Sequence, residues 1–140
     1  MSIQFFVEDV SLPKIQKRRL SNWIKKVILN EGKKSGEISF IFCSDGYLLE
    51  MNKKYLKHFY FTDVITFDYV VNDVISGDVF ISLDRIRENS IKFNVSFENE
   101  LNRVLVHGVL HLLGYMDKDT NSKEEMTIKE DYYLKVLNYN

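Results

Sequence analysis

The chain is predicted to fold as an α+β domain: one mixed sheet of about four strands with helices packed on it. Three observations predict it. Segments of strand-like alternation and of helical periodicity follow one another in the order β-α-β-α-β-β-α-α-α. The 140 residues hold one proline and six glycines and no linker, repeat or low-complexity tract, so residues 1–140 are expected to form a single domain. Apolar residues make up 45% and charged residues 28%, the balance of a globular chain with its own core.

Ile3 to Val7 is the first predicted strand. Ser11-Leu12-Pro13 predicts a helix start, with proline in the first turn where its missing N–H does no harm. That helix runs to about Asn30 on an apolar stripe of Ile15, Leu20, Trp23, Ile24, Val27 and Ile28. Glu31 to Gly36 is a loop, and Glu37 to Cys43, alternating and rich in β-branched and aromatic residues, is a strand. Ser44 and Asp45 can cap a short helix from Gly46 to about Lys53. Asp63 to Val71 and Gly77 to Ser82 are strands joined by a turn around Asn72-Asp73, an antiparallel hairpin. Ser82 or Asp84 caps a helix through Ile91, and Ser96 opens another that ends at Gly114. The last helix spans Thr120 to about Leu137, with Glu124 and Glu125 in its first turns, where acids favour the helix dipole.

The single cysteine, Cys43, excludes an internal disulfide and fits a reducing compartment. Its place in a strand-like run makes it a small buried hydrophobe rather than a nucleophile. Residues 1–10 lack a basic leader with an apolar segment, and no run approaches the ~18 apolar residues that span a bilayer. A soluble, cytoplasmic protein without a membrane partner is expected. The net charge of −1 hides an asymmetry: residues 1–60 carry 11 Lys and Arg against 6 Asp and Glu, residues 61–140 carry 8 against 14. Such blocks permit an anion-binding face without demanding one.

The richest segment is His107-Gly-Val-Leu-His111-Leu-Leu-Gly114-Tyr-Met-Asp117. Two histidines four apart put both imidazoles on one helix face, one turn from each other, where they can share an ion. Gly114 supplies the left-handed residue that stops a helix, and the reversed chain delivers Asp117 as a third ligand, with Asp119 a rival. A metal site at the end of this helix is therefore expected, and three protein ligands leave a position open for catalysis. The spacing also matches metzincin zinc proteases, whose glutamate after the first histidine activates water. Here that position is Gly108, so the protease base is missing and a peptidase is not expected.

Taken with Asn52-x-x-Tyr55, Thr62-Asp63-Val64-Ile65-Thr66-Phe67 and Gly77-Asp78-Val79-Phe80-Ile81-Ser82, this motif resembles the YbeY family along nearly the whole chain. These are bacterial metal-dependent endoribonucleases implicated in ribosomal RNA maturation and ribosome quality control. The resemblance implies a zinc-dependent hydrolase with one zinc per chain on His107, His111 and Asp117. It also implies single-stranded RNA as substrate, in maturation of the small-subunit 3′ end, with ribosomal RNA or the ribosome as partner and no DNA. This chain departs from the family twice. Asp117 stands where the third ligand is usually histidine, and a carboxylate shifts preference toward harder divalent ions. Leu56 stands where an arginine thought to contact RNA is common, which leaves phosphate to Lys57, His58 or Arg85. Arg103, one turn before His107 on the same face, could also meet phosphate, or pair with Glu100 or Asn99. Asp63 is a candidate to orient a ligand imidazole. The alternative is a ribosome-assembly factor with structural zinc and little or no cleavage.

Overall fold

The computed structural model describes residues 2–56 and 62–138. Strands β1 (Ile3–Val7), β2 (Lys34–Cys43), β3 (Val64–Asp68) and β4 (Val74–Ser82) form one sheet in the order β1-β2-β4-β3. β1, β2 and β4 are parallel, and β3 runs antiparallel to β4, so the sheet is mixed as expected. The helices are α1 (Lys17–Asn30), α2 (Asp45–Met51), α3 (Leu83–Lys92), α4 (Phe97–Leu112) and α5 (Thr120–Asn138), and α2 continues into a π-helical turn, Asn52–Leu56.

Because side chains alternate across a strand, the sheet has two distinct faces. Ile38, Phe40 and Phe42 of β2 and Val79 and Ile81 of β4 join the stripes of α1, α4 and α5 in the main core. The opposite face carries a smaller cluster of Cys43, Ile65 and Leu48, covered by α2. No helix among the described residues is long and apolar enough to cross a membrane.

Local signals explain most boundaries. Ser44, Ser82 and Ser96 each cap a helix, their hydroxyls accepting from the N–H of Tyr47, Arg85 and Asn99 at 3.1, 3.2 and 3.0 Å. The β3–β4 hairpin closes through reciprocal backbone bonds between Val71 and Val74, and Asn72 takes the left-handed φ of 57° that its turn requires. Four edges differ from expectation, one being the end of β3, which falls at Asp68 and not Val71, where the Asp68 carboxylate takes the Val70 N–H at 2.8 Å. α1 starts at Lys17, not near Pro13, because Val10 and Ile15 pack against the core along an irregular path. β2 starts at Lys34 and β4 at Val74, because these two ends pair with each other, overriding the loop-like composition of residues 31–36. Gly36 permits that pairing: a Cβ there would lie 2.1 Å from the Ser76 hydroxyl oxygen.

Two other glycines set how closely α4 approaches the sheet. A Cβ on Gly108 would lie 2.7 Å from Val79 Cγ1, and one on Gly77 would lie 2.8 Å from Leu112 Cδ2. Position 108 therefore faces β4, not the histidines' side of the helix.

Cys43 is fully buried, with its thiol 3.6 Å from the carbonyl of Ile81. Burial, with the charges of Asp9 and Glu8, pushes this thiol up to about 12. It is expected to stay silent to a disulfide-exchange reagent at pH 8 in the native protein and to titrate fully in denaturant. Fast labelling of the native protein would contradict the buried assignment.

Candidate metal centre

The site begins with how α4 ends. Tyr115 donates its N–H to the carbonyl of Leu110 at 3.0 Å, and Gly114 donates to His111 at 3.0 Å. That is the Schellman pattern, with Gly114 at φ 102° as the left-handed residue. The turn folds the chain back along the last helical turn and delivers Asp117 to the two imidazoles.

The three ligand atoms form a compact triangle. His107 Nε2 lies 3.0 Å from His111 Nε2, and Asp117 Oδ2 lies 3.4 Å from the first and 3.3 Å from the second. In a tetrahedral zinc site with bonds of about 2.0–2.1 Å, neighbouring ligand atoms stand about 3.3 Å apart. The triangle thus has the dimensions of one tetrahedral face, and its two imidazoles and one carboxylate are a fitting donor set for a divalent cation.

The other ring nitrogens set which way the lone pairs point. His107 Nδ1 donates to Glu130 Oε2 at 2.6 Å, and His111 Nδ1 donates to the carbonyl of Tyr115 at 3.1 Å. Both Nε2 atoms are left as acceptors aimed at a common point. Burial draws the His107 pKa down, but the hydrogen bond and charge of Glu130 outweigh it and the net shift is upward. Burial and the neighbouring His107 charge hold His111 below the usual imidazole value.

Glu130 was not among the residues expected to matter. It is buried, and its second oxygen accepts from Arg103 Nη1 at 2.8 Å, while Arg103 Nη2 donates to Asp131 at 2.6 Å. The sequence does carry a trace of it. Glu130 falls in line with Met126, Tyr133, Leu134 and Leu137 on the buried side of α5, a lone acid in an apolar stripe.

A cleft of about 330 Å³ opens on His107, with Asp63, Glu100, Arg103, Asp117 and Lys123 in its walls. Burial raises the carboxyl groups of Asp63 and Glu100 above their ordinary range. Neither Glu100 nor Lys123 stood out in the sequence as a site residue. Arg103 lines the cleft while bound to Glu130 and Asp131, instead of the Glu100 or Asn99 partner that helical spacing suggested. Asp63 enters the cleft wall from just before β3. Asp119 caps α5, accepting from Ser122 N–H at 2.8 Å, and Asp117 is the acid that joins the histidines. Arg85 lies between α3 and α2, its Nε 3.2 Å from each oxygen of Asp45. Lys57 and His58 lie outside the described residues.

A family model described as "Endoribonuclease YbeY" matches residues 6–138. The chain belongs to the YbeY family. A relative from Parabacteroides distasonis, named Endoribonuclease YbeY, is 48% identical over 137 residues, covering 98% of this chain and 96% of that protein. One of the same name from Flavobacterium psychrophilum is 53% identical over 116 residues, 83% of each chain. A solution structure from Thermotoga maritima superposes with a TM-score of 0.69 at 30% identity, over 96% of this chain and 88% of that one. The YbeY resemblance read from four short motifs thus extends over the whole fold. The seat of Gly108 against Val79 also gives a physical reason why this YbeY chain has no metzincin base: a side chain there would be driven into the sheet.

Proposed function

We propose that the protein is a metal-dependent endoribonuclease that cuts single-stranded RNA, with ribosomal RNA as its substrate in the cytoplasm. Residues 1–140 act as one catalytic unit. The observation that carries the reading is the triangle of His107 Nε2, His111 Nε2 and Asp117 Oδ2, its edges 3.0–3.4 Å, at the mouth of a cleft. The name shared by the relatives supplies the reaction class.

Zinc suits two imidazoles and one carboxylate, and Asp117 also admits manganese or another hard divalent ion. Held by His107, His111 and Asp117, such an ion would supply Lewis acidity toward a phosphoryl oxygen and toward a water near neutral pH. The chain's own groups do the rest. Glu130 and the Tyr115 carbonyl fix the imidazole tautomers before any ion arrives. Arg103 spends two of its five N–H donors on carboxylates and offers the remainder to phosphate at the cleft. Lys123 is an exposed cation in the same wall. Lys57, His58 and Arg85 are the further candidates for phosphate contact.

The test is metal depletion by chelator dialysis followed by stepwise return of zinc, manganese or magnesium, with a labelled 20-nucleotide single-stranded RNA as substrate. Cleavage should vanish on depletion and return with about one equivalent of ion per chain, while a duplex of the same sequence stays intact. Full metal occupancy with no cleavage of any RNA would favour the assembly-factor reading instead. Activity indifferent to depletion would remove the metal from the mechanism.

A further inference from the structure

The cleft poses an electrostatic problem for an RNA enzyme. Among the described residues, Asp63, Glu100, Asp117 and Glu130 outnumber Arg103 and Lys123 in its walls, and Arg103 is already held by Glu130 and Asp131. A second, more basic surface would add affinity for a polyanion that the cleft supplies only weakly.

The outer face of α1 meets that need. Its sequence, KRRLSNWIKKVILN, holds five basic residues and no acid. Lys17, Arg18, Lys25 and Lys26 are exposed, as is Lys14 just upstream. None of these five has an ion-pair partner among the described residues, in contrast to Arg85 and Arg103, which are engaged by carboxylates. The helix buries Leu20, Trp23, Ile24, Val27 and Ile28, which fixes the cations on the solvent side.

The relief around this ridge suits a strand of nucleotides. A groove of about 540 Å³ separates α1 from the edge strand β1, with Gln4, Phe6, Lys17, Arg18, Asn22 and Lys25 on its walls. Phe6 is 46% exposed and offers a ring face for stacking, and β1 is the edge strand of the sheet, its outer side met by the Ser21 hydroxyl of α1, which donates to the Ile3 carbonyl at 3.4 Å. A second groove, of about 640 Å³, lies on the other side of the ridge toward Leu137 of α5 and shares Lys17, Arg18 and Asn22 with the first. Cations between two grooves, with an aromatic ring and amide side chains beside them, are the elements of a single-strand platform.

The opposite end of α1 leads toward the metal centre. Glu31, at its C-terminal cap, accepts from the Tyr115 hydroxyl at 2.6 Å, and Tyr115 stands two residues before Asp117. Fourteen helical residues span about 21 Å, so RNA held on the first turns of α1 and reaching the cleft must be several nucleotides long.

We propose that the exposed face of α1 and the neighbouring edge of β1 form a sequence-independent docking surface for single-stranded RNA, separate from the metal cleft. This rests on the endoribonuclease reading for its choice of polyanion. An acidic protein would be the competing occupant, and RNA is favoured because free cations, an exposed aromatic ring and amide side chains line the two grooves beside α1.

The test compares two double charge reversals of equal net change: Lys17→Glu with Arg18→Glu on α1, and Arg87→Glu with Lys92→Glu on α3. Both folds are checked by circular dichroism. Binding of a labelled 20-nucleotide RNA is followed by fluorescence anisotropy across a salt series. The α1 pair should raise Kd about ten-fold and lower the slope of log K against log salt by about 1.4, near 0.7 per lost contact. The α3 pair should leave both within two-fold. Cleavage of a two-nucleotide RNA, too short to reach from the cleft to the first turns of α1, should be equal in all three proteins. Equal losses from the two pairs would reduce the effect to net charge and overturn the docking surface. Unchanged RNA binding together with α1-dependent binding of a polyglutamate peptide would reassign the surface to acidic protein. If no RNA of any length is cleaved while α1-dependent binding persists, the endoribonuclease reading fails and the docking surface stands.

Discussion

Replacing His111 with alanine is expected to strip the protein of its metal and to lower RNA cleavage by about 10³-fold or more, while the fold survives. A Lewis acid at a phosphoryl centre contributes several kcal/mol, and each 1.36 kcal/mol is tenfold in rate. The structural cost is small. The His111 side chain is partly exposed, its Nδ1 bond goes to a turn carbonyl, and the Schellman bonds that hold that turn are made by backbone groups that alanine keeps. The change in unfolding free energy of the metal-free protein should therefore stay within about 1 kcal/mol. Metal analysis of the purified variant, a denaturant melt and a single-turnover cleavage assay together check this. Retained stoichiometric metal would show that Asp117 and His107 bind without it; lost folding would show a structural role for the imidazole.

The second large effect is expected at Glu130, a residue that touches no substrate. Its carboxylate is buried between His107 and Arg103, accepting from both at 2.6 and 2.8 Å. Truncation to alanine leaves a partly buried guanidinium short of one partner, and breaking a buried pair from one side costs about 3–5 kcal/mol. It also frees the His107 ring, and loss of such an orienting partner weakens metal affinity about 10–100-fold. Glu130→Gln separates the two roles. The amide keeps the volume and can accept one hydrogen bond, so most stability should return while metal affinity stays reduced, because the charge that favours a donating His107 Nδ1–H is gone. Chelator competition on both variants measures the affinity. If Glu130→Ala binds metal as tightly as the unmodified protein, the orienting role is wrong and Glu130 serves only to pair Arg103.

What could be seen in the sequence, and what could not, follows the range of the interactions involved. The serine caps of α2, α3 and α4, the Asn72 turn and the Gly114 stop are local events, decided within four or five residues, and each fell where its motif placed it. The histidine pair was legible for the same reason, since a helix alone aligns positions 107 and 111. Boundaries settled by partners distant in the chain were not. β2 begins at Lys34 because Val74 is there to pair with it, and α1 begins late because Ile15 finds the core before it finds a helical turn. Glu130 belongs to this second kind. Twenty-three residues separate it from His107, and only the packing of α5 on α4 makes one carboxylate among twenty acids a metal-site residue. Arg103 was legible in place but not in state: its helix face was evident, whereas its capture by Glu130 and Asp131 depended on the same packing.

Glu31 draws the molecule's parts into one thermodynamic unit. The carboxylate that ends α1 accepts from Tyr115 on the metal-bearing turn and from Tyr133 and Lys129 on α5. Tyr115 in turn offers its carbonyl to His111. Free energy spent in fixing that turn is thereby felt at the end of α1, and coupling of this kind is reciprocal. A cation held at the turn would be expected to steady the end of α1 through these bonds, and any such coupling would tighten the hold on the cation by the same factor when α1 is steadied.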